Sequence, residues 1–242
     1  MKKLFLLLLL SISNVTFADD KPIDKQPVNS SMTKMEKKVR LAAVKVTLED
    51  GHGSGSLIKY KGSQFVITAN HVIATERYFF GMPVHVTGIN ETKTASLIYF
   101  DEKYDIAVLY LPRAEHFTYT QPMKWKPVKE IPSVGTLVTY SGYPSWHDLM
   151  TFRGRVAGYE TSAKIGKQII LNVYGWFGSS GALVYTTKGE MIGVLWAIDV
   201  EQYPTTQVSE DIVWTVPIEN LNMEVPMKIL CDSFVNKIKN CE

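Results

Sequence analysis

Three short segments of this chain each hold one reactive side chain in a distinctive setting. Thr68-Ala69-Asn70-His71-Val72 offers an imidazole, Tyr104-Asp105-Ile106-Ala107-Val108-Leu109 a carboxylate, and Gly178-Ser179-Ser180-Gly181-Ala182 a hydroxyl. A serine hydroxyl is a weak nucleophile until a neighbouring base takes its proton. Histidine can be that base, and a carboxylate on its other ring nitrogen fixes the tautomer and stabilises the imidazolium that forms. The three types together point to acyl transfer at a carbonyl, and they run along the chain in the order His, Asp, Ser.

Each residue alone has a plainer reading. A histidine just past a strand end is often only structural. An aspartate at the head of a strand can cap a turn, and a Gly/Ser loop can be only a loop. Asp105, however, heads an apolar run, where a carboxylate without a partner is costly. Asp101, four residues earlier, is the better turn cap. Gly178 and Gly181 flank Ser180 closely, so backbone and substrate can approach one another. Such a turn can aim the amides of Gly178 and Ser180 at one point, which is what an oxyanion hole requires. The joint occurrence favours the catalytic reading.

Short strands must position these groups. From Val39 onward the chain breaks into brief segments rich in Val, Ile, Leu, Thr and Tyr, among them Val39–Leu48, Ile106–Leu111, Leu137–Ser141 and Met191–Ala197. Gly, Pro, Asn and Ser punctuate the gaps, a pattern of sandwiches and barrels. Lys188-Gly189 reads as a hairpin turn, and the Pro-rich stretch Gln121–Pro132 as a crossover between two halves. After Pro226, the apolar residues Ile229, Leu230, Phe234 and Ile238 share one helical face.

The chain has 242 residues, 45% of them apolar, enough for one sizeable domain or two small barrels sharing a cleft. Met1-Lys2-Lys3, the apolar run Leu4–Leu10 and Thr16-Phe17-Ala18 read as a secretory signal peptide cut after Ala18. Loss of Lys2 and Lys3 takes the formal charge from +2 to about 0. Nucleic acid and anionic membrane surfaces are therefore not expected partners. No later stretch reaches membrane-spanning length. The location expected is exported, either periplasmic or secreted. With only Cys231 and Cys241 available, a disulfide could staple only the tail. The remaining histidines, His52, His85, His116 and His147, show no metal-ligand spacing, and neither metal nor cofactor is expected.

Jointly the three segments resemble the trypsin-like, chymotrypsin-fold serine proteases, and most closely the bacterial HtrA/Deg-type and related secreted members. The resemblance runs from about Val39 to Leu221. It rests on Gly53-Ser54-Gly55, Thr-Ala-Asn-His-Val, Asp-Ile-Ala-Val-Leu, Tyr140-Ser141-Gly142-Tyr143-Pro144, Gly-Ser-Ser-Gly-Ala and Gly193-Val194. It implies an all-β fold of two packed six-stranded antiparallel barrels, with a short C-terminal helical tail. The boundaries expected are a leader at 1–18, a flexible lead-in at 19–38, and a protease domain at 39–222. The barrels would span about 39–120 and 133–216, and 223–242 would form a partly helical tail without a PDZ domain.

The same resemblance makes His71 the general base, Asp105 its orienter and Ser180 the nucleophile. Gly178 and Ser180 would supply the oxyanion hole. Tyr174, Phe177, Trp196 and Ile198 would line the specificity pocket, which has no aspartate for Lys or Arg and suits a small or apolar residue. Ser179 stands where digestive members carry an aspartate that pairs with a new N-terminus, so activation of that kind is not expected. Ala182 stands where the family usually has glycine. The function implied is an exported serine endopeptidase acting through an acyl-enzyme on a protein or peptide substrate. The alternative is a catalytically silent protease-like scaffold that binds a peptide or protein partner. An esterase on another fold is disfavoured by the chain order.

Overall fold

The computed structural model describes residues 28, 31–48, 51–75, 78–145, 147–201 and 206–233. The expected leader lies outside them. Six strands build a first barrel: β1 (Ala43–Leu48), β2 (Gly51–Tyr60), β3 (Ser63–Ala69), β4 (Pro83–Thr87), β5 (Thr92–Asp101) and β6 (Ile106–Leu111). Their order is β1-β4-β5-β6-β3-β2, and a β1–β2 pairing closes the ring. The crossover contributes β7 (Met123–Lys124), which runs parallel to β2. A second closed barrel takes β8 (Leu137–Gly142), β9 (Met150–Ser162), β10 (Gly166–Asn172), β11 (Leu183–Thr186), β12 (Met191–Glu201) and β13 (Gln207–Pro217). Its order is β10-β13-β12-β11-β8-β9. The two expected barrels are both present.

Side chains that alternate along a strand face opposite sides. In the first barrel Val44, Val46, Leu57, Val66, Val84 and Leu109 fill the interior. The second is filled by Val138, Tyr140, Val156, Leu171, Val184 and Val213. The outward faces of the central strands are also buried, because they meet at the seam. There Ile58, Phe65, Ile67 and Val108 of the first barrel pack with Leu183, Tyr185, Met191 and Val194 of the second. Burying each such side chain contributes about 1.5–3 kcal/mol, so the seam is a core in its own right.

The N-terminal edge departs from the sequence expectation. A strand was expected from Val39, after a lead-in flexible to 38. Instead Lys34–Ala42 forms the helix α1, and β1 starts at Ala43. Thr33 caps it: the Thr33 hydroxyl accepts the Glu36 amide at 3.2 Å, and the Glu36 carboxylate accepts the Thr33 amide at 2.6 Å. Met35, Val39 and Ala42 put apolar groups on one side of the helix. The helix is bolted to the second barrel. Arg153 donates two hydrogen bonds to Glu36, at 2.6 and 2.8 Å. Arg40 donates to the Leu149 carbonyl at 2.9 Å.

At the other end, a short helical turn (Ile218–Asn220) precedes α3 (Glu224–Ser233), with Pro226 in its first turn. Met227 and Leu230 enter the seam. Cys231 is disulfide-bonded. Cys241, the only other cysteine in the chain, lies outside the described residues. Among the described residues no helix is long and apolar enough to cross a membrane.

Candidate active site

The chain leaves β3 at Ala69 and turns at once through the single-turn helix α2 (Asn70–Ile73), which carries His71. Asp105 sits just ahead of β6, the strand paired with β3. Its carbonyl accepts the Asn70 amide at 3.0 Å. One carboxylate oxygen accepts the His71 amide at 2.8 Å, and the other meets His71 Nδ1 at 2.6 Å. Facing an acceptor-only carboxylate, Nδ1 carries the ring proton and Nε2 is left with the lone pair. The His71 side chain is 48% exposed, against 13% for Asp105. Asp105 holds φ +50, a left-handed conformation that costs a non-glycine residue about 1–3 kcal/mol.

Ser180 lies in the turn ahead of β11. Its carbonyl accepts the Ser54 amide at 2.8 Å, which docks it onto β2. A Cβ at Gly53 would lie 2.4 Å from a Val72 methyl and 2.9 Å from the Ser180 carbonyl. Ser180, β2 and the residue after His71 therefore meet at a point with no room for a side chain. Gly181, at φ +90, is equally confined: a Cβ there would sit 2.1 Å from the Ser54 carbonyl.

Three successive carbonyls of this turn are tied down. Phe177 O accepts the Ser145 amide, Gly178 O the Ser54 hydroxyl at 2.7 Å, and Ser179 O the Ala182 amide at 3.1 Å. In a planar trans peptide the N–H points opposite to the C=O. The amides of Gly178 and Ser180 are thereby turned the other way, and neither donates to a protein acceptor among the described residues. Ser179 is buried. Its hydroxyl lies 3.4 Å from the Tyr140 hydroxyl, which donates to the Tyr174 carbonyl at 2.6 Å. Burial pushes the Tyr140 phenol far above its ordinary range, so it stays a neutral donor.

The structure divides the residues expected around the specificity pocket. Trp196 and Ile198 line a cavity of about 470 Å³ running along β12. Trp196 also borders a second cavity, about 330 Å³, with His71 and Asp105. Tyr174 and Phe177 line neither. Tyr174 is drawn into an aromatic column with Phe152 and Tyr140, at centroid spacings of 5.1 and 5.0 Å. Phe177 packs edge-on against Trp176 and stays 62% exposed. Between them, Gly175 abuts Val213 and Ile198, where a Cβ would come within 2.5 and 3.4 Å.

Residues 53–194, which contain His71, Asp105 and Ser180, match the family described as trypsin-like peptidase domain. This chain belongs to the trypsin-like peptidase family. Its members act on peptide or protein substrates. Among solved structures, the chain is similar to the serine endoprotease from Yersinia pestis, with 20% identity and a TM-score of 0.61 over 85% of this chain and 69% of that one. It is similar to the active form of the Rv3671c protease from M. tuberculosis, with 16% identity and a TM-score of 0.61 over 86% of this chain and 85% of that one. It is likewise similar to an inactive form of Rv3671c, with 16% identity and a TM-score of 0.59 over 81% of this chain and 91% of that one. At such identities these likenesses speak for the fold. No curated protein matches the chain in sequence.

The sequence assigned no part in the Ser180 turn to three residues that contact it: Ser54 and Tyr140, both inside quoted motifs, and Ser145. Ser54 did leave a signal, since it stands between two glycines in a run already singled out. Ser145, at φ +51, left none.

Proposed function

We propose that this chain is an exported serine endopeptidase. Ser180 attacks the peptide carbonyl, and Nε2 of His71 takes the hydroxyl proton and returns it to the leaving amine. Asp105 holds the imidazole and stabilises its charged form. The amides of Gly178 and Ser180 receive the oxyanion of each tetrahedral intermediate. The acyl-enzyme on Ser180 is then hydrolysed by water, with His71 again as base. The observation that carries this reading is the double engagement of His71 by one carboxylate, which leaves Nε2 as the acceptor. The leader-like start and the oxidised state of Cys231 both support export.

The deciding experiment labels the purified protein with a fluorophosphonate, with Ser180→Ala as control. A wild type that labels and cleaves peptides, beside an inert Ser180→Ala, is the expected result. If the wild type stays unlabelled, the scaffold reading replaces this one, and the crowding at Gly175 becomes the reason a substrate cannot seat.

A further inference from the structure

We propose that Ser54 is a positioning residue for the oxyanion hole, an inference that rests on the peptidase reading above. The oxyanion amides can act only if the peptide planes of the turn keep their orientation. The Gly178 amide shares its plane with Phe177 O and the Ser180 amide with Ser179 O, while Gly178 O belongs to the Gly178–Ser179 peptide that joins them; three donors hold these carbonyls. Two of the donors are backbone amides, of Ser145 and Ala182. The third is the hydroxyl of Ser54, the one side chain in the set.

Every polar group of Ser54 is committed. Its hydroxyl donates to Gly178 O at 2.7 Å and accepts the Tyr143 amide at 2.8 Å. Its amide donates to Ser180 O at 2.8 Å, and its carbonyl accepts the Thr68 hydroxyl at 2.7 Å. The residue is fully buried. One residue of the first barrel thus holds the peptide that joins the two oxyanion amides, the peptide that follows Ser180, and the Tyr143–Ser145 segment that grips Phe177. The surroundings are shaped to it, since a Cβ at Gly142 would fall 2.6 Å from the Ser54 hydroxyl oxygen.

Without that hydroxyl, the carbonyl of the Gly178–Ser179 peptide loses its side-chain donor and the Tyr143 amide loses its acceptor. Ser54 does not touch the reacting atoms, so its loss acts through the position of the Gly178 and Ser180 amides. The effect must appear where charge develops on the substrate oxygen, and little in ground-state binding.

The test compares wild type, Ser54→Ala and Ser54→Cys, each normalised to the sites titrated by a fluorophosphonate, with Ser180→Ala as the unlabelled blank. For Ser54→Ala, kcat per titrated site falls about 10–100-fold while KM stays within about twofold. Affinity for a peptidyl trifluoromethyl ketone, which forms the oxyanion, falls by the same factor as kcat. Ser54→Cys, with a weaker donor of similar shape, lies between the two, and carries the comparison alone if Ser54→Ala does not fold. Normal kcat per site with only fewer competent sites or a lower Tm would make Ser54 merely structural and overturn the proposal. Failure of the peptidase reading looks different: an inert wild type, or an active Ser180→Ala.

Discussion

A single carboxylate, that of Asp105, holds His71 at two places, the backbone amide at 2.8 Å and ring Nδ1 at 2.6 Å. The backbone bond fixes the residue and the ring bond fixes the tautomer. Asp105→Asn separates these effects. The amide side chain can keep the backbone bond, but its NH₂ faces Nδ1 and forces the proton to Nε2. The expected outcome is a loss of about 10⁴ in kcat with little change in Tm. A variant within tenfold of wild type in kcat would exclude the triad mechanism.

Ser180→Ala removes a side chain that donates to no acceptor among the described residues. Its cost should fall on chemistry alone. Turnover should drop by at least about 10⁴-fold, with thermal unfolding within a few degrees of wild type. Steady-state assay and calorimetry together check both halves.

Gly181→Ala is expected to fail for another reason. It would place a methyl group 2.1 Å from the Ser54 carbonyl at a residue with φ +90. Both the strain and the displaced β2 contact act against the turn, and a loss of about 3 kcal/mol or more is expected. Chemical denaturation measures it. A stable, active Gly181→Ala would mean that the turn is far more pliable than drawn.

Acid stability reports the α1 clasp. Hydrogen bonding from Arg153 holds the Glu36 carboxyl down at about 2, from an ordinary value of 4.5. The folded form therefore gains stability above pH 4.5, and that gain disappears as the pH falls from 4.5 through about 2. Arg153 is half exposed, so solvent screening keeps the gain small. Glu36→Gln should flatten Tm against pH across this window. An unchanged slope would show the clasp to be energetically silent.

The sequence made the barrels legible because strand segments alternate and turn residues mark their ends. Ile106–Leu111 is found as expected. His71 and Asp105 were findable because each sits at a strand end, where an unusual residue interrupts an apolar run. The helix α1 was not legible. Its mean composition is polar, and what decides it is the reciprocal cap between Thr33 and Glu36 and the distant partner Arg153. The specificity pocket misled for a related reason: Tyr174 and Phe177 are near neighbours of Ser180 in the chain, but ring stacking on Phe152 and Trp176 decides where they go. Ser54 acts across the inter-barrel seam on Gly178, and Ser145 acts on Phe177 between two loops of the second barrel; neither residue's own sequence setting names its distant partner.

The seam has a thermodynamic consequence. Residues of both barrels and of α3 share one buried cluster, from Phe65 and Ile67 to Leu183, Val194 and Leu230. Neither barrel can open alone without wetting half of that cluster. Cooperativity should therefore extend across the whole domain, giving one calorimetric transition whose van't Hoff and measured enthalpies agree, where independent barrels would give two.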